Sequence, residues 1–234
     1  MQLFYISELR ENHKSFFFDK NESRHILKVL RKNKGDNVLI TNGLGLIFKA
    51  KISSLNPNKC EVSILEVCHK KHKGYKLHMA VAPTKLNNRF EWFIEKATEI
   101  GVDIITPIFC THSERKRIKE ERFKKIINAA AKQAQRSYFP VLKKPMHFKD
   151  FIDNKSEEIC FIAHCHNSPK QVLKHLIPNK KDLLILIGPE GDFSPEEIKM
   201  AQDKGFQSVS LGNNRLRTET AAIVACQTIH LYNE

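Results

Sequence analysis

The sequence has no GxGxxG turn and no GK[ST] loop, so it carries neither the glycine fingerprint of a dinucleotide fold nor the lysine-bearing cradle of a P-loop. It has no apolar run of the ~20 residues needed to cross a bilayer, which excludes a membrane partner of that kind. The opening stretch MQLFYISELREN lacks a basic segment leading into an apolar one, the form of a secretory leader. A cytoplasmic protein is therefore expected. No internal repeat or low-complexity segment is present. The six cysteines include no CxxC pair. Cys60, Cys110 and Cys226 lie in apolar runs and read as small buried hydrophobes. Cys160, His164, Cys165 and His166 crowd together, but with no second cluster at finger-like spacing they make a poor tetrahedral set, and no metal is expected. Acidic residues are few, 26 against 39 basic ones, for a net charge of +13. Such an excess suits a polyanion such as nucleic acid, although solubility alone also accounts for it.

What is present divides at KKHKGYK (residues 70–76), a polar, basic segment broken by Gly74. Residues 1–72 form the first expected domain. Its strands are Phe4–Ile6, Phe16–Phe18, Asn37–Thr41, Leu46–Leu55 and Cys60–Cys68. Asn42-Gly43 and Asn56-Pro57-Asn58 supply hairpin turns, and a helix from Glu22 to Arg31 is capped by Asn21. Short strands joined by tight turns point to a small barrel. Residues 73–234 alternate strands with helices, the pattern of a mainly parallel sheet and an α/β class. The expected strands are Leu77–Ala82, Asp103–Cys110 (interrupted or near an edge at Pro107), Ile159–Ala163, Leu183–Ile187 and Ser208–Leu211. The expected helices cover Phe90–Ile100 with Gly101 as C-cap, Lys119–Arg136, one starting at Pro195, and Glu219–Leu231.

Two glycine-marked loops, LIGPEGDFSPEEI (186–198) and LGNNRLRTETAA (211–222), each follow a strand and open a helix. In an α/β sheet, ligands bind in the crevice at such strand ends. Ser194 and Glu197 form a capping box with Pro195 at the first helical position, and Gly188 and Gly191 permit positive φ and close ligand approach. Thr218 reads as the cap of the last helix, which is apolar nearly all round and therefore expected to be buried. Each loop alone is also compatible with a well-capped connector; their occurrence together favours a site.

The pair GPEGxxSxxE and LRTETA resembles the RsmE family of 16S ribosomal RNA (uracil-N3) methyltransferases, within the SPOUT superfamily. EWFIEKATEIGVDIITPIF (91–109), KQAQRSYFP (132–140) and SRHILKVLRKNKGD (23–36) are similar to further family segments, so the likeness touches both domains. The resemblance implies a PUA-like β-barrel for RNA followed by a SPOUT α/β domain with a deep trefoil knot, which strand counting alone does not suggest. It implies S-adenosylmethionine as cofactor, 16S ribosomal RNA within the small subunit as partner, and a homodimer. By motif position the cofactor contacts are Ile187, Gly188, Glu190, Gly191, Leu211, Gly212, Leu216, Thr220 and Ala221. The catalytic candidates are Arg217 and Glu219. Departures from the family pattern are Asp192 in place of a second glycine after GPEG, Asn214 for the usual arginine, Arg215 in an aliphatic slot, Gln2 for Arg and Gln135 for Gly.

Uracil N3 carries a proton that something must accept as the new bond forms. Glu219 is the candidate for accepting or orienting it; the other role open to it is pairing with Arg217 or with the helix N-terminus. Arg217 can stabilise negative charge on the uracil. N3 lies on the Watson–Crick edge, so the base must be unpaired or flipped out. Arg24, Lys28 and Arg31 form a basic stripe at i, i+4 and i+7. With Arg115 and Arg136 they are the RNA-contact candidates, while His25 reads as structural. The rival functions are a SPOUT enzyme acting on a ribose 2′-hydroxyl and a non-catalytic ribosome assembly factor.

Overall fold

The computed structural model describes residues 2–234. Its chain falls into two compact units. One is residues up to His72 together with Ala131–Phe139, and the other is Lys73–Ala130 with Pro140–Glu234.

The first unit contains β1 (Leu3–Tyr5), β2 (Ser15–Phe17), α1 (Lys20–Arg24), β3 (Asn37–Thr41), β4 (Leu46–Ser54) and β5 (Glu61–His69). Its five-stranded sheet runs β1-β3-β4-β5-β2, antiparallel except for the β1–β3 pair. Register shifts between β4 and β5 at Lys49/Ala50 and Ile52/Ser54 add twist where extra residues break the ladder. Phe4, Phe18, Ile26, Ile40, Phe48 and Val62 fill its core. Two expectations change here. The helix cap is Asp19, whose Oδ1 accepts from the Glu22 amide at 2.8 Å, and not Asn21. Nor does one α-helix run to Arg31: α1 ends at Arg24 and a π turn covers His25–Val29, with Leu30 N donating to His25 O at 3.0 Å. The wider turn lets Ile26, Leu27 and Leu30 all reach the same core, a packing gain that outweighs regular helix geometry.

The second unit begins with β6 (Leu77–Val81), α2 (Asn87–Ile100), β7 (Ile104–Phe109) and α3 (Glu120–Gln133), whose last residues belong to the first unit. It continues with β8 (Val141–Leu142), β9 (Met146–His147), α4 (Phe148–Asp153), β10 (Ile159–Ala163), β11 (Gln171–Val172), β12 (Leu183–Ile187), α5 (Pro195–Asp203), β13 (Gln207–Ser210) and α6 (Thr218–Asn233). The strands form one parallel sheet in the order β11-β13-β10-β12-β6-β7-β8, with β9 also on β7. Every residue of β12 (Leu-Leu-Ile-Leu-Ile) is buried, as a strand covered on both faces must be. Alternation sends Leu183, Ile185 and Ile187 to a core shared with α2 and α6, and Leu184 and Leu186 to one shared with α4 and α5. Truncating Ile185 to Ala should cost about 2–5 kcal/mol, the usual penalty for a cavity in such a core.

Pro107 behaves as its chemistry requires. β7 bonds β8 through Ile104 and Ile105, then β9 through Ile108 and Phe109, and the missing amide falls in the gap between them. Gly101 caps α2 with φ 128°, and the Ser194/Glu197 capping box with Pro195 opens α5. α6 is not buried all round. Ala222, Ala225, Cys226 and Ile229 face the core, whereas Leu231 and Tyr232 are exposed. Its N-cap is Arg217 rather than Thr218, because Arg217 has extended backbone while its carbonyl already accepts from the Ala221 amide, which makes Thr218 the first helical residue.

Candidate active site at the ends of three parallel strands

β13, β10 and β12 lie side by side in parallel, so the loops that leave their carboxyl ends open onto one edge. These loops, 164–170, 188–192 and 211–217, enclose a cleft of about 810 Å³ with the strand ends Ala163, Ile187 and Ser210, and Val209 before the last, also in its wall. The N-terminus of α6 closes one side through Thr218 and Ala221.

The loops are tied to one another. The Thr218 hydroxyl donates to the Gly188 carbonyl at 3.0 Å, joining the third loop to the second. Asp192 joins the second to the first: its Oδ2 accepts from the Cys165 amide at 2.7 Å and its Oδ1 from the Phe193 amide at 2.9 Å. Asp192 has φ 65°, a conformation that Gly, Asn and Asp adopt most readily. Asp192 thus takes a bend that glycine adopts freely and adds two bonds that glycine lacks. The expected positive φ lies here and not in Gly188 or Gly191. Those two are glycine for want of space. A Cβ on Gly191 would stand 2.9 Å from His112 Cβ, and one on Gly188 would stand 3.1 Å from the Phe193 ring. Gly212, at φ 134°, is glycine for its backbone.

Of the residues expected from the sequence, Ile187, Gly188, Glu190, Leu211, Gly212, Leu216, Arg217 and Ala221 come together in the cleft wall. Gly191, Glu219 and Thr220 are outside the wall, Gly191 in the same turn against His112. Glu219 is buried in the first turn of α6. Its Oε1 is 3.6 Å from Arg89 Nε on α2, and its Oε2 has no hydrogen-bond partner. The ion pair of Glu219 is thus with Arg89, not with Arg217, which is exposed at the cleft.

Arg24, Lys28 and Arg31 are exposed. The π turn and the left-handed Arg31 (φ 51°) mean that no regular α-helical stripe orders them. The Arg115 guanidinium is committed to backbone, its Nε donating to Thr84 O at 2.9 Å and its Nη2 to Lys85 O at 2.5 Å. Arg136 is half-buried beyond the end of α3, where its amide donates to Ala131 O.

From sequence the loop 164–170 reads only as a weak metal cluster, yet it forms a full wall of the cleft. The rule that ligands bind at strand ends, applied to β10 as it is to β12 and β13, finds it. Among the described residues no group of three or more His, Cys, Asp or Glu is placed to hold a metal ion.

An apolar floor at three strand ends, glycine-lined walls and a basic residue at the mouth define the site of an α/β enzyme, and the family profiles agree. The RNA methyltransferase domain matches residues 71–230 and the RNA methyltransferase PUA domain residues 18–65. The ribosomal RNA small subunit methyltransferase E of Buchnera aphidicola subsp. Acyrthosiphon pisum is 33% identical over 221 residues, covering 90% of this chain and 85% of its own. That of Rickettsia conorii is 28% identical over 228 residues, covering 96% and 93%. Among solved structures, a protein of Porphyromonas gingivalis described as a probable rRNA-methyltransferase superposes with a TM-score of 0.93 at 38% identity, over 100% of this chain and 98% of that one. A Legionella pneumophila protein described as a methyltransferase, solved in complex with the cofactor SAM, does so with 0.86 at 29% identity, over 99% and 97%. The class is therefore an RNA methyltransferase of SPOUT type with a PUA domain. Within that class, the chain belongs to the ribosomal RNA small subunit methyltransferase E family.

Proposed function

We propose that this protein transfers the methyl group of S-adenosylmethionine to N3 of a uridine in 16S ribosomal RNA of the small subunit. The observation that carries the reading is the cleft itself: the GPEG and LRTETA loops are joined across it by the Thr218–Gly188 bond, which spans 30 residues. The residues fit a nucleoside cofactor. The floor is apolar, and the buried His164 Nε2 among the lining residues has no protein partner. Ile187, Gly188, Leu211, Gly212, Leu216 and Ala221 would hold the cofactor, which supplies an electrophilic methyl on a sulfonium.

The chain's own residues do the rest. Alignment of the acceptor against the methyl contributes several kcal/mol through positioning. Arg217, exposed at the cleft, faces the negative charge that grows on the uracil as N3 loses its proton. Glu219, with one oxygen unpartnered and the other near Arg89, orients or accepts that proton. The base reaches the site unpaired or flipped out. Arg24, Lys28, Arg31 and Arg136 serve the RNA backbone, supported by the net charge of +13; Arg115 serves it only with donors left over from Thr84 and Lys85.

The architecture we propose around this chemistry is a PUA-like barrel over residues 1–72, and a SPOUT domain over 73–234 whose C-terminal segment threads a deep trefoil knot. Gly191 and Thr220 complete the cofactor shell. The exposed Leu231 and Tyr232 on α6 support a homodimer, which sedimentation would reveal as twice the 27.1 kDa chain mass. The cytoplasm, where small subunits are assembled, is the compartment this reading implies.

The test is incubation of small subunits lacking the modification with this protein and labelled S-adenosylmethionine, followed by nucleoside mass spectrometry. Labelled 3-methyluridine is the expected product. Label on a ribose would move the protein to another SPOUT activity. Absence of both label and cofactor binding would favour an assembly factor.

A further inference from the structure

His164 follows the last residue of β10 and lines the cleft, yet it is only 7% exposed. Its surroundings fix more than its position. Lys170 Nζ donates to the carbonyls of His164 at 3.0 Å and His166 at 2.5 Å and lies 3.5 Å from His164 Nδ1. An ammonium has hydrogens but no lone pair. Toward it Nδ1 acts as acceptor, and the single ring hydrogen of a neutral imidazole then resides on Nε2. Burial first, and then the charge of Lys170, bring the His164 pKa down to about 4, so the ring is neutral near pH 7. The Nε2–H is buried and has no partner in the protein. A buried donor left unmade carries its full desolvation penalty, which a ligand acceptor would relieve.

We propose that His164 presents Nε2–H as a hydrogen-bond donor to the nucleoside part of the cofactor, at a ring nitrogen or a ribose oxygen, and that Lys170 is the positioning residue that fixes this tautomer. The proposal rests on the reading that the cleft holds S-adenosylmethionine. The nucleoside is favoured over the amino-acid tail because the partly exposed apolar residues of the wall, Ala163, Leu211, Leu216 and Ala221, offer surface suited to a flat heteroaromatic ring. A neutral donor there also suits an uncharged acceptor.

Two measurements test it. Calorimetric binding of S-adenosylhomocysteine and of 5′-methylthioadenosine, which lacks the carboxylate, would be compared for wild type, His164→Leu and His164→Gln. The leucine variant should raise Kd about tenfold for both ligands, the worth of one ligand hydrogen bond. Glutamine, whose amide N–H can reach the Nε2 position, should stay within about threefold of wild type. Wild-type affinity in the leucine variant, or a weakening confined to S-adenosylhomocysteine, overturns the proposal. If wild type binds neither ligand, the cofactor reading fails as well, a result distinct from the other two. Independently, 15N spectra of the free protein should show His164 as the Nε2–H tautomer, and Lys170→Met should convert it to a mixture. A wild-type ring protonated at Nδ1 instead refutes the proposal even if every variant folds poorly.

Discussion

Half-buried Glu157 and buried His78 form a polar pair away from the cleft. His78 Nδ1 lies 2.5 Å from Glu157 Oε1, and His78 Nε2 lies 2.8 Å from the Thr106 hydroxyl. Burial raises the Glu157 carboxyl, but the His78 hydrogen bond and charge, with the amides of Glu157 and Ser156, outweigh it and hold the group at about 2 against an ordinary 4.5. A carboxylate whose folded pKa is depressed stabilises the fold above its unfolded pKa and loses that contribution as pH falls through the folded value. Glu157 should therefore contribute up to about 3 kcal/mol at pH 6, vanishing between about pH 5 and 2. Urea unfolding of wild type and Glu157→Gln across that range should show the gap between them closing toward acid; a constant gap would reject this account. At Gly191 the prediction is steric. Gly191→Ala should destabilise the protein by about 1–3 kcal/mol, the cost of overpacking, because its Cβ meets the His112 Cβ. His112→Gly should recover much of that stability in a double-mutant cycle.

Among the elements, the loops of the cleft depend on Asp192. Asp192→Ala removes both carboxylate bonds and places a β-carbon residue with φ 65°, whereas Asp192→Gly removes the bonds but relieves the backbone. The alanine variant should be the less stable of the two by about 1 kcal/mol, and both should show faster amide exchange at Cys165 and Phe193. Equal exchange in wild type and variants would mean that the carboxylate does not hold the loops.

Elements with strong local signals were legible in the sequence. β3, β10 and β12 match their expected bounds because apolar runs end sharply at turn residues, and α5 starts where its capping box sits. β8, β9 and β11, at two residues each, carry no periodicity; they exist only because neighbouring strands offer free edges. α4 is a six-residue helix whose Phe148, Phe151 and Ile152 are held by tertiary packing. The π turn was hidden for the same reason, since its spacing answers to the core of the first unit and not to a local preference. In the site, two walls were readable from their glycines. The third, 164–170, was not, because its chemistry lies in a histidine tautomer set by a lysine six residues away.

For the whole molecule, the charge of +13 makes RNA binding salt-dependent. Replacing Arg24, Lys28 and Arg31 together by Glu should weaken RNA binding and flatten the plot of log affinity against log salt by about 0.7–0.9 for each phosphate no longer neutralised. Cofactor affinity should not change, because none of the three lines the cleft. A uniform fall in both would point to misfolding, and an unchanged slope would remove these residues from the RNA surface.

The Thr218–Gly188 bond also sets a timetable. During synthesis, a chain that has emerged as far as Ser210 already possesses β10, β12 and β13 and two of the three loops. It lacks Leu211 to Ala221, and with them a wall of the cleft and the hydroxyl that latches it. A polypeptide still attached to the ribosome at that stage has an open cleft. Closure of the cleft therefore waits for residues 211–221, however completely the three strands have paired beforehand.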